Sequence, residues 1–71
     1  MDREMARQRL EQAERHVAEG ERHLVRQREL AAELKRDGHD SRLAIEVLHQ
    51  FEQTQELHVA DRDRLRKELN G

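Results

Sequence analysis

Residues 6–34 read ARQRLEQAERHVAEGERHLVRQRELAAEL, and within them Ala6, Leu10, Ala13, Val17, Gly20, Leu24, Gln27, Ala31 and Leu34 recur at alternating steps of four and three. An α-helix returns to the same face at those steps, so these small and apolar side chains form one narrow seam along a rod. The spacing predicts a first helix from about residue 2 to 36, roughly 50 Å long at about 1.5 Å per residue. Its acidic start at Asp2 and Glu4 and its Lys35-Arg36 finish both suit the helix macrodipole.

Beyond Arg36 the run Asp37-Gly38-His39-Asp40-Ser41 places a glycine where a left-handed C-cap is wanted, followed by two residues that can each cap a new helix. Helical spacing then returns from about residue 42 to 69, with Ala44, Val47, Leu48, Phe51, Leu57, His58, Leu65 and Leu69 to one side. A loop this short makes the two helices antiparallel neighbours. The expected architecture is therefore all-α: one domain over residues 1–71, an antiparallel helical hairpin with its turn at about 37–41. Folding back around His39 would set Leu34 against Ala44, Gln27 against Phe51, Gly20 against His58 and Ala13 against Leu65, a large residue meeting a smaller one in each layer.

The second helix has more apolar surface than the first can cover, since Leu43, Val47 and Leu57 lie beside the Ala44, Leu48, Phe51 and Leu65 row. That surplus predicts a homodimer, two coiled-coil-like hairpins forming a four-helix bundle with Val47, Leu48, Phe51, Leu57, His58 and Leu65 at the interface. A helix of another protein could cover the same face. On the outer surface, Glu11 with Arg15 and Asp63 with Lys67 stand at ion-pair spacing.

Composition points the same way. Charged residues make up 42% and hydrophobic ones 34%, a balance that without pattern would mean disorder; the sustained seam, the absence of Pro and the three Gly favour helix instead. A chain of 71 residues with no Cys and one Phe lacks the disulfides and aromatic core that hold many small domains together, which leaves association as the route to stability. The net charge of -2, with both signs interleaved, argues against a nucleic-acid partner. No apolar run resembles a signal peptide or a membrane span, so the expected location is cytoplasmic.

Candidate sites gather at the middle of the rod. Gly20 is unusual, because a glycine inside a helix costs about 1 kcal/mol relative to alanine; close packing against the facing helix would offset it. Gln27, Gln55, His58 and Arg62 would form a buried polar layer able to fix register and oligomeric state. A metal or small-ligand site at this level would draw on His16, Glu19, His23 and His58. His16 and His23 stand two turns apart, roughly 10 Å along the axis, and cannot share one ion, so one of them would act with His58 and with residues of a second copy. If His58 is buried at the interface, acidification to about pH 5 should loosen the dimer.

Glu46 and His49 match the Glu-x-x-His spacing of di-iron bundles, but with Leu48 and Phe51 facing inward both should point outward, and the motif occurs without a second copy. The only hydroxyl side chains are Ser41 and Thr54, there is no Tyr or Cys, and no Gly-rich phosphate loop occurs; an enzyme is not expected, and neither is a cofactor.

The segments Ala13-Glu14-Arg15-His16-Val17-Ala18-Glu19-Gly20-Glu21-Arg22-His23, Asp37-Gly38-His39-Asp40, Leu48 to Phe51 and His58-Val59-Ala60-Asp61-Arg62-Asp63-Arg64-Leu65 resemble short uncharacterised proteins of rhizobial and related alphaproteobacteria. The resemblance implies a small bacterial cytoplasmic helical hairpin and assigns no activity to any residue. The expected function is that of a non-enzymatic oligomerisation or protein-interaction module. The alternative is a metal-binding, ligand-binding or pH-responsive bundle centred on His58.

Overall fold

The computed structural model describes residues 2–71 and consists of two packed helices, α1 over Arg3–Arg36 and α2 over Arg42–Asn70. They fold back on each other as a hairpin measuring 53 × 14 × 14 Å, a rod two helices wide. Among the described residues no helix is long and apolar enough to cross a membrane.

Each end of α1 has a local chemical cause. Asp2 precedes it in extended backbone and its carboxylate accepts from the Glu4 N–H at 3.1 Å, satisfying one of the donors that a helix start leaves unpaired. At the other end Gly38 adopts φ 77°, a left-handed conformation in which a side chain would be strained. There the His39 N–H donates to the Leu34 carbonyl at 2.8 Å and the Gly38 N–H to the Lys35 carbonyl at 3.2 Å, the paired bonds of a Schellman stop.

Of the two candidate caps for α2, Asp40 supplies the bond and Ser41 does not. Asp40 Oδ1 accepts from the Arg42 N–H at 3.0 Å, while the Ser41 hydroxyl makes no capping bond. The Arg42 guanidinium also grips the Asp40 carboxylate at 2.8 Å; this bond first, and the backbone bond second, hold the Asp40 carboxyl below the ordinary aspartate range. A carboxyl depressed on folding contributes stability above its unfolded value and loses it as the pH falls through its folded value, so the contribution should fade as the pH drops below about 4. Asp40→Ala should therefore lower the melting temperature at neutral pH and lower it less at pH 2, whereas Ser41→Ala should change little at either. Thermal melts followed by circular dichroism check both.

The seam of α1 supplies Ala6, Ala13, Leu24 and Ala31 to the interior, and α2 supplies Ala44, Gln55 and Leu65. Alanines at most of these positions let the two backbones approach closely. Close approach is visible in two long-range bonds: Gln55 Nε2 donates to the Val17 carbonyl and Gln27 Nε2 to the Ala44 carbonyl, both at 2.8 Å.

These bonds correct the pairing expected from a fold-back around His39. Gly20 faces Gln55 rather than His58, Gln27 reaches Ala44 rather than Phe51, and His58 lies against His16. The contacts fall one to two turns away from the expected layers because the glutamine amides seek backbone acceptors and the hole at Gly20 admits an amide. The outer surface differs too, since Asp63 pairs with its neighbour Arg62 at 3.0 Å instead of with Lys67.

Candidate functional site: a histidine-lined groove

The two edges of the hairpin differ in character. Along one, Arg28, Glu52, Glu56 and Asp63 line the crease between the helices together with Leu24, Val59 and Ala60, and Glu14 meets Arg66 across it at 3.3 Å. Along the other, His16 and His23 of α1 recur at heptad spacing beside the seam, and Leu30 continues their row; on α2 the matching row is Val47 and Thr54, with Leu43 and Leu57 a turn to either side. This second edge holds a groove of about 190 Å³.

Gly20 forms part of the groove floor, midway between two aromatic contacts. His16 and His58 have ring centres 5.2 Å apart with planes tilted by 49°; His23 and Phe51 have centres 5.9 Å apart with planes tilted by 37°. Glu19 and Thr54 complete the rim, and no Lys or Arg lines this groove. His16 and His23 are exposed, while His58 and Phe51 are half-buried.

Below the floor, the Gln55 amide is pinned by its bond to Val17. Its Oε1 is buried without a hydrogen-bond donor and occupies the space that a Cβ on Gly20 would take, so the Gly20 Cα hydrogen points at it. Cα–H to oxygen contacts of this kind recur where helices pack closely and are worth about 0.5–1 kcal/mol. Gly20 thus packs closely on Gln55, where the sequence reading set His58 against it.

The residues expected to act as one polar layer do not converge. Gln27 is spent on Ala44 near the loop, Gln55 on Val17 at mid-rod, and Arg62 pairs with Asp63 at the surface. Of that set His58 and Gln55 line the groove. Of the four weak metal candidates, His16, Glu19, His23 and His58 all line the groove, but only His16 and His58 are in ring contact. Among the described residues no group of three or more His, Cys, Asp or Glu is placed to hold a metal ion within one chain.

The residues named for an interface also divide. Leu65 is 4% exposed and already enclosed by the hairpin, so it has no surface left for a second copy. Val47, Leu48, Phe51 and His58 are half-buried, while Leu57 stands 71% exposed. Leu43, at 72%, is equally open and belongs with Leu57. Glu46 and His49 are both exposed. The sequence reading left open whether His16 or His23 would stand with His58, and the structure brings His16 to it.

Scans against protein-family models, curated proteins and solved structures returned no match.

Proposed function

We propose that the protein is a non-enzymatic oligomerisation module, a helical hairpin that pairs with a second copy of itself through the histidine edge to form a four-helix bundle. One observation carries the reading. Among the described residues Leu24 and Leu65 are the only large apolar side chains that the hairpin encloses, while Leu43 and Leu57 stand 72% and 71% exposed. A hairpin whose interior is mostly alanine gains little from burial on its own, at about 0.8 kcal/mol per methyl-sized group, and domains of this size need a further source of stability.

The choice of a second copy over a foreign helix follows from self-complementarity. A two-fold pairing places α1 of one copy against α2 of the other, antiparallel. The row of Arg9, His16, His23 and Leu30 then meets the row of Val47, Thr54 and Asp61, setting Leu30 near Val47 and Leu43. Arg9 and Asp61 already lie together within one hairpin, where Arg64 holds Asp61, so it is the apolar surface that the chain itself matches.

Sedimentation equilibrium tests the reading. The expected result is a dimer at micromolar concentration. A compact, fully helical monomer at millimolar concentration would overturn it.

A further inference from the structure

We propose that His16 and His58 form half of a tetrahedral metal site, completed by the same pair from a second copy in the dimer proposed above, and that the site takes a borderline divalent cation such as zinc. Two imidazoles bound to one tetrahedral ion at about 2.0–2.1 Å hold their ring centres about 5 Å apart. The His16 and His58 rings, at 5.2 Å, already stand at that separation. Their element positions explain why: His58 lies on the inward row of α2, and His16 leans over the same groove from the edge of α1.

Glu19, one turn from His16, lines the groove, where no Lys or Arg stands; on its other side His16 adjoins Arg9, Asp61 and Arg64, so the cation would be held by the imidazoles themselves from the Glu19 side. His23 lies two turns further along α1 and is engaged with Phe51 at 5.9 Å, which leaves the His16 pair as the candidate chelate.

One chain offers too few ligands to close such a site, since no three candidate ligands converge among the described residues. A two-fold interface removes that shortfall, because whatever lies near the axis meets its own copy. The pair lies on the edge that exposes Leu43 and Leu57, so pairing through those leucines brings four imidazoles to one level. Imidazole sets select zinc, cobalt, nickel or copper over magnesium and calcium, which prefer oxygen ligands. An ion held only by the dimer tightens it by mass action.

The test uses the whole chain, stripped with EDTA and then titrated with zinc chloride, with sedimentation and calorimetry as readouts and cobalt(II) as a spectroscopic probe. The expected result is one zinc per two chains, a dimer dissociation constant lowered at least tenfold, the intense visible absorption of tetrahedral cobalt, and no response to magnesium. His16→Ala and His58→Ala should each abolish binding, while His23→Ala and His49→Ala should retain it. His16 is exposed, so its removal leaves the fold in place, and helicity measured beside binding verifies this for both variants.

Absence of zinc binding, one zinc per chain, or binding that survives both His16→Ala and His58→Ala overturns the site. A dimer that forms in EDTA and ignores zinc removes the metal site while leaving the module reading intact. A chain that stays monomeric with and without zinc removes both.

Discussion

Replacing Gly20 with leucine should destabilise the hairpin by about 3 kcal/mol net. The substitution gains up to about 1 kcal/mol of helix propensity. Against this, the first added carbon would overlap Gln55 Oε1, so the amide must leave its site and its bond to the Val17 carbonyl must break. A displaced buried amide costs about 1–3 kcal/mol, and forcing the helices apart to admit the rest of the side chain costs a similar amount again. In a small domain that loss removes much of the total stability. The cause is separable from any general intolerance of the position: Gly20→Ala combined with Gln55→Ala deletes the clashing amide and leaves one methyl group on each helix. The double variant should melt at or above the temperature of the parent, and Gly20→Leu well below it. A Gly20→Leu protein that melts with the parent would show that the two helices do not approach closely at this level.

The second large effect concerns Leu57, whose side chain is mostly open in a single hairpin. Burying such a leucine is worth about 1.5–3 kcal/mol, and a two-fold interface buries it twice. Leu57→Glu should therefore weaken the dimer by about 4 kcal/mol, a rise in dissociation constant of about a thousandfold. Leu43→Glu should act in the same direction. Glu56→Gln, on the opposite edge, should leave association unchanged. Sedimentation equilibrium over a dilution series measures all three, and a change below tenfold for Leu57→Glu would exclude this edge as the contact.

The course of the chain could be read from its residues because the decisive signals are local. The seam from Ala6 to Leu34 sets the face of α1, and Gly38 stops the helix by a conformation that other residues adopt at a cost. Register could not be read in the same way. A heptad pattern slid by one turn still presents an apolar row to its partner, so the sizes of facing residues favour Gly20 with His58 about as well as Gly20 with Gln55. What selects between them is where two amides find carbonyls, Gln55 at Val17 and Gln27 at Ala44, and no periodicity records that. The groove was half readable for the same reason. Its residue types were evident, but the pairing of His16 with His58, and not of His23 with His58, depends on register.

The unequal edges of the rod limit how far assembly can run. Fibre growth needs two different sticky patches on each subunit, so that every added unit leaves one free for the next. Here the greasy residues Leu30, Leu43, Val47 and Leu57 lie beside the histidine edge, whereas the other edge sets Val59 and Ala60 among Arg28, Glu52, Glu56 and Asp63. Once two copies have met, the large exposed apolar side chains left among the described residues are Met5, Val25 and Ile45, fewer than the contact has covered, and concentrated solutions should fill with closed pairs instead of filaments.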